Sequence, residues 1–418
     1  MNFAQQKNKA INNLLLAALI ATPIVLLVLV LFSPGNLIND ENNFTYNIPL
    51  LAKYGLSARF FNELHNQSPG PLYQLIYYPL ECIGIKPIRE YRLVNLFFLF
   101  GIVYLLFRLM KQESIENSFM KSLLIFVIPV TWVTGGLALT EIPTIFFVLS
   151  SLIVFKTALT RPKFGLFLLS VSGLLLGLSI IGRMQFIVVF PMAVYVLIKL
   201  KDIDFKSIAA FCICTLLFPV CLVYVWKGLV PPELQSAQSG MNFMYLLFSF
   251  GFASFFLLLL YPAWFKIPKA ALYLKILSAL LVVFFLLNIK FFNMRFMPMQ
   301  TLGRVLPASI RPLYEEYFSL LFPCIMLCVT FLYLIALYYQ LSNNMDSTWN
   351  IFLLVSATLL IVTALKSSAQ FSSRYPFQAV PFLLLYCVKD IKPSLSLFVR
   401  ASIGVLIGVV SLMLFYHQ

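Results

Sequence analysis

The feature that most constrains this chain is the recurrence of apolar runs about as long as a bilayer is thick. Runs bounded by charge or by Pro/Gly clusters lie at 11–32, 93–110, 122–140, 142–159, 164–182, 184–200, 207–226, 242–262, 270–290, 316–340, 349–366, 377–389 and 394–416. Roughly 20 apolar residues cross the hydrocarbon core as a helix, because inside lipid a helix satisfies its own backbone polar groups. The pattern predicts an all-α polytopic membrane protein with about 13 transmembrane helices. The run 377–389 is the weakest, being short and carrying Pro381. The stretch 71–85 holds Pro71, Pro79 and Glu81 and reads either as a further span or as a helix lying in the outer interface.

Composition agrees. Of 418 residues, 61% are hydrophobic and 11% charged, against about 25% charged in soluble domains. A single integral membrane domain over 1–418 follows, with no room for a sizeable extramembrane one. The 30 Lys and Arg exceed the 15 Asp and Glu, giving +15. Among apolar spans such an excess points to anionic lipid headgroups and not to nucleic acid. The seven Cys fall mostly inside apolar runs, without zinc spacing, and read as packing residues. Two histidines exclude His-rich metal chemistry. The first run follows Lys7 and Lys9, lacks a small-residue cleavage site, and is expected to be an uncleaved span.

Charge distribution sets the orientation. If 71–85 does not cross, the short loops on the amino-terminal side collect Lys7, Lys9, Lys111, Lys121, Lys156, Lys199, Lys266, Lys389 and Lys392 among others. The opposite short loops then hold only Arg183, Lys227, Lys366 and Arg374. Positive-inside placement puts the amino terminus in the cytoplasm and the carboxyl terminus outside. Two long outer loops result: 33–92, with interfacial helices and an acidic motif, and 291–315, with Arg295, Arg304 and Arg311. Loops this long in a compact protein are usually functional. No internal repeat of the kind found in transporters with inverted halves is visible.

Asp40 and Glu41 open the first loop at the membrane surface. Such a pair serves either as a solvated helix flank or as a general base with an orienting neighbour, partial desolvation raising the basicity of the base. Glu141 lies at a tight outer connection, where a carboxylate is either a helix cap or a polar contact that needs a partner. Arg183 and Arg374 sit at outer helix ends, as snorkelling anchors or as forks for a phosphate. His65 is a loop histidine, either exposed without a role or a contact for a polar group of a substrate. Glu315 and Glu316 read as the flank of the following helix. Asn43 and Asn66 head chance Asn-x-Ser/Thr matches.

The order of motifs in the first half carries a resemblance. Asp40-Glu41, Ile48-Pro49, Pro69-Gly70-Pro71-Leu72-Tyr73 and Tyr91-Arg92-Leu93-Val94-Asn95 resemble the first loop of the GT-C superfamily of integral membrane glycosyltransferases. Within it they are most similar to the dolichyl-phosphoglucose α-1,2-glucosyltransferases. Thr140-Glu141, Arg183-Met184-Gln185 and Ser373-Arg374-Tyr375-Pro376 match in order. Trp-Asp-Pro and the paired Thr before the Pro-Gly segment are absent, and the carboxyl-terminal His-Pro and Asp-Asn-Arg-His-Tyr patterns are reduced, which leaves sugar, linkage and acceptor open.

The resemblance implies an inverting hexosyltransferase working from a polyprenyl-phosphate sugar donor on a lipid-linked or glycan acceptor at the periplasmic or lumenal face. Asp40 would be the base and Glu41 its orienting neighbour or an acceptor contact. Glu141, Arg183, Arg374, Tyr73 and His65 would bind substrate, the two arginines holding the phosphate, while Arg295 and Arg304 guide the headgroup. No cofactor is expected; an Asp-Glu pair with no further acid nearby argues against a divalent metal. The chain has no nucleotide-binding domain, so the donor is expected to be lipid-borne. The reduced eukaryotic motifs favour a bacterial inner membrane over the endoplasmic reticulum. The rival reading is a transporter or flippase for an anionic lipid or glycan, which would place ionisable groups along a midplane path.

Overall fold

A computed structural model describes residues 3–38, 40–65, 67, 69–84, 88–199, 203–235, 240–296, 306–343, 347–366 and 371–417. Among them every regular element is a helix. Ten helices are long and apolar enough to cross a membrane: Ala10–Leu31, Ile88–Gln112, Glu141–Thr160, Gly165–Gly182, Phe205–Trp226, Phe243–Leu260, Ala270–Phe292, Leu313–Asn343, Thr348–Lys366 and Leu395–Tyr416. The architecture suits a multi-pass membrane protein.

The other three apolar runs are helical but broken or short, which accounts for the difference from about 13 straight spans. The run at 122–140 folds as Ser118–Val127 and Pro129–Gly136, bent by 82°. Pro129 causes the break: it lacks an N–H and drives the preceding Ile128 to an extended ψ of 117°. The run at 184–200 forms the shorter helix Met184–Lys199. The run at 377–389 keeps only Val380–Cys387, rising about 12 Å, well short of the hydrocarbon core. Hydropathy marks each run, but proline and helix-terminating polar residues decide whether one continuous helix spans it.

The bundle is drawn together by small residues. A Cβ on Gly173 would stand 2.6 Å from the Phe211 carbonyl oxygen and one on Gly177 2.8 Å from that of Thr215, so only glycine lets these two helices approach so closely. Gly404 and Gly408 likewise seat the last helix on Val127 and Trp132.

The first long loop folds as four short helices, Asp40–Tyr46, Ile48–Tyr54, Ala58–Asn62 and Leu72–Cys82. The 11 residues of the last rise about 17 Å, too little to cross unaided. A buried amide cluster holds the loop: Gln67 and Gln74 exchange hydrogen bonds at 3.0 and 2.6 Å, and Asn47 donates to Gln67 at 3.1 Å.

The two ends of the bundle differ chemically. At one end Glu113 pairs with Lys156 and, at 3.1 Å, with Lys389, while Lys121 donates to the Val388 carbonyl at 2.8 Å. At the other end lie the first loop, Glu141, Arg183 and Arg374. Glu141 and Lys156 share one helix, and the 15 helical steps from one to the other set the two ends about 22 Å apart. Within the ten spans every Asp, Glu, Lys or Arg sits in the first or last six residues of its helix.

Candidate functional site

Glu41 and Arg92 form the innermost pair of the loop end. The Glu41 carboxylate accepts from Arg92 Nε at 2.9 Å and Nη2 at 2.6 Å, and from the backbone N–H groups of Ile38 at 2.9 Å and Ala138 at 2.8 Å. Arg92 also donates to Ser33 Oγ at 3.1 Å and to the carbonyls of Pro34 at 2.6 Å and Asn36 at 2.9 Å. Both side chains are fully buried. Asn95, three residues on and so on the same helix face, donates to the carbonyls of Thr134 and Leu137, each at 2.7 Å. The Arg-x-x-Asn spacing thus ties the end of the first helix to the end of Pro129–Gly136. The Tyr416 hydroxyl adds a bond to the Gly136 carbonyl at 2.8 Å, with Arg92 over its ring.

Asp40, one residue before Glu41, faces elsewhere. Its carboxylate pairs with Arg374 Nη2, and Nη1 of Arg374 reaches Glu141 Oε1 at 3.6 Å. Glu141 Oε1 in turn pairs with Arg183 Nη2, while Arg183 Nε donates to Thr140 Oγ1 at 3.0 Å. Ser372 Oγ steadies Arg374 by accepting from its Nε at 3.1 Å. The result is an alternating array, Asp40–Arg374–Glu141–Arg183, assembled from four separate stretches of chain. Glu141 is fully buried, and its Oε2 has no hydrogen-bond partner among the described residues. The Asp40 side chain remains 37% exposed, the open end of the array.

The electrostatics follow from that geometry. Burial pushes the Asp40 carboxyl up, but Arg374, helped by Arg183, outweighs it and holds the pKa below the ordinary carboxylate value. Burial works against the charge on Arg374 too, yet Glu141 and Asp40 more than compensate and raise its pKa. Paired guanidinium and carboxylate groups at a desolvated boundary are the usual way such charges are tolerated.

Glycines allow this packing. A Cβ on Gly70 would come within 3.0 Å of the Ile181 carbonyl carbon, and one on Gly182 within 2.6 Å of Leu72 Cδ2. The Pro-Gly-Pro-Leu segment therefore lies directly on the helix end that projects Arg183. Gln185 Oε1 accepts from Gln378 Nε2 at 3.1 Å, tying the stretch after Arg183 to the stretch after Arg374.

Asp40, Glu141, Arg183 and Arg374, expected together from the sequence, meet in one array, while Glu41 is engaged with Arg92. Tyr73 is buried at the heart of the loop, its hydroxyl 3.3 Å from Thr45 Oγ1 and its ring against Phe44 and Tyr77. His65 lies on the loop surface with Nδ1 3.2 Å from Glu233 Oε2. Arg295 is exposed and donates to Asn293 Oδ1 at 3.2 Å. Arg304 and Asn66 lie outside the described residues. Glu315 and Glu316 are exposed on the segment Leu313–Phe318. The sequence reading passed over Arg92, Asn95 and Ser372 as site builders. For Arg92 a signal existed, since a charge at the start of an apolar span needs a partner and Glu41 was at hand.

No three His, Cys, Asp or Glu side chains among the described residues stand close enough to hold a metal ion. Compared with protein-family models, curated proteins and solved structures, the chain matches none.

Proposed function

We propose that the chain is an inverting membrane glycosyltransferase of GT-C type, moving a sugar from a polyprenyl-phosphate donor to a lipid-linked or glycan acceptor at the outer face of a bacterial inner membrane. The observation that carries this reading is the meeting of Asp40 with Arg374, 334 residues apart in sequence, backed by Glu141 and Arg183. It supplies what such a transfer needs: a carboxylate base, and guanidinium forks for a phosphate leaving group. The basic end of the bundle sits opposite this array, so positive-inside placement turns the array outward. The crowding of charges at helix ends favours the transferase over a transporter, which would carry ionisable groups near the midplane.

The array has as many carboxylates as guanidiniums, so an incoming phosphodiester has to exchange with one of them. Asp40 holds the exposed end and is the group displaced. The phosphate then occupies Arg374, with Arg183 still neutralised by Glu141. Asp40, released from its cation in a partly desolvated setting, becomes a stronger base for the acceptor hydroxyl. The donor C1–O bond breaks as the acceptor oxygen attacks from the opposite face, the acceptor proton passes to Asp40, and Arg374 stabilises the charge gathering on the phosphate. Glu141, fully buried, acts by holding Arg183 and Arg374 in place. Glu41 acts by fixing the helix on which Asp40 stands.

The test is transfer by the purified full-length protein against a panel of radiolabelled polyprenyl-phosphate monosaccharides. At least one donor should be consumed, and Asp40→Asn should lower the rate about 10² to 10⁴-fold while the donor lipid still binds. Lipid translocation in vesicles with no sugar transfer from any donor would favour the flippase reading instead.

A further inference from the structure

A cleft of about 460 Å³ opens beside the Asp40–Tyr46 helix, lined by Leu37, Asn42, Asn43, Thr45, Tyr46 and His65. Asn43 stands three residues after Asp40 on that helix, and residues so spaced are neighbours on a helix surface. Asp40 itself is not among the lining residues; Leu37 and Asn43, on either side of it in sequence, bring the cleft to the edge of the ionic array, and the cleft's chemistry is of another kind. Its lining offers amides from Asn42 and Asn43, hydroxyls from Thr45 and Tyr46 and the His65 imidazole, with no Lys, Arg, Asp or Glu.

The walls are held in place from behind. Asn47, fully buried, donates through Nδ2 to the carbonyls of Asn43 and His65, each at 2.9 Å, and its Oδ1 accepts from the His65 N–H at 3.1 Å. The helix wall and the His65 wall are thereby pinned to each other through one side chain. The Thr45 hydroxyl is positioned by the buried Tyr73 hydroxyl at 3.3 Å. The Tyr46 ring stands 70% exposed, its centroid 6.4 Å from that of His65. Amides and hydroxyls both donate and accept, and an exposed ring supplies a flat apolar face. That combination suits an uncharged, polyhydroxylated ring, whereas a phosphate has no cation here to pair with.

We infer that this cleft is the acceptor-sugar site, holding a neutral sugar ring with one hydroxyl turned toward Asp40. The inference rests on the transferase reading and divides the substrates by charge: lipid phosphate on Arg374, acceptor sugar on Asn42, Asn43, Thr45 and Tyr46. In the transfer the acceptor oxygen forms the bond to donor C1, the electron pair of the broken C1–O bond goes to the phosphate, and the acceptor proton goes to Asp40.

The experiment uses the full-length protein in nanodiscs with two probes: a panel of neutral p-nitrophenyl hexosides, read by saturation-transfer NMR, and undecaprenyl phosphate, read by competition with a fluorescent analogue. At least one hexoside should bind. Asn43→Ala with Tyr46→Ala should weaken it about tenfold, and Tyr46→Phe alone about threefold, as expected for one or two lost hydrogen bonds. Arg374→Gln should leave hexoside binding within about twofold and weaken undecaprenyl phosphate at least tenfold, charged hydrogen bonds being the stronger. Failure of every hexoside to bind, or equal binding by wild type and the Asn43/Tyr46 variants, overturns the cleft assignment. Hexoside binding as expected, with undecaprenyl phosphate indifferent to Arg374→Gln, retains the sugar cleft and overturns the donor clamp of the transferase reading.

Discussion

Glu41 accepts from two arginine nitrogens and two backbone amides in full burial, while Asp40 beside it faces Arg374 with more than a third of its side chain open. Adjacent carboxylates thus do different work, and substitution should separate them. Glu41→Gln leaves the Arg92 guanidinium buried without its countercharge and should cost about 3 to 5 kcal/mol, read as a lowered melting temperature or lost expression. Asp40→Asn should leave a protein that folds and binds donor lipid but turns over slowly. The pH dependence has a definite sign. Because the folded pKa of Asp40 lies below its ordinary value, the stabilisation from its ion pair is complete above the unfolded carboxyl pKa of about 3.9 and is lost only as pH falls through the lower folded value. The difference in melting temperature between wild type and Asp40→Asn should therefore stay constant from about pH 8 to 5 and close only below about pH 4. A difference already shrinking near neutrality would mean that Asp40 does not hold Arg374 as described.

Among the elements, the loop segment 69–72 and the helix end at 181–183 are mutually fitted. Gly70 meets backbone, which cannot turn aside as a side chain can. Gly70→Ala should lift the loop from the helix end, at a cost of about 1 to 3 kcal/mol, and displace Arg183 from Glu141 and Thr140. The expected readout is faster proteolysis within 40–84, with weaker donor-lipid binding. The 82° bend before Pro129 belongs to this scale as well. It starts a short second helix that stops at Gly136, where the Ala138 N–H reaches Glu41 and the Thr134 and Leu137 carbonyls are taken up by Asn95. A straight span would have spent those groups on its own helix.

For the whole molecule, orientation is the property to measure. Cysteines placed at Lys53 and Glu116, both exposed, in a background without the native cysteines, should label from opposite sides of a sealed vesicle, position 53 from the outside. The reverse pattern would move the ionic array to the cytoplasmic face and remove the proposed periplasmic chemistry. The lysine-rich end makes the same division, since Lys121, Lys156 and Lys389 gather about 22 Å from the array.

The sequence by itself determined the class of fold, because hydropathy over roughly 20 residues is a local property that the bilayer reads directly. It also placed Asp40, Glu141, Arg183 and Arg374 at helix ends on one side, through the alternation of spans and basic loops. Which carboxylate meets which arginine was settled only by the tertiary structure. Pairing across 334 residues depends on how helices pack, and that is set by glycine contacts, a proline break and buried amides that hydropathy does not register. Asp40 and Glu41 look alike as letters, and only the direction in which a short helix presents each of them makes one a structural anchor and leaves the other at the open edge of the array.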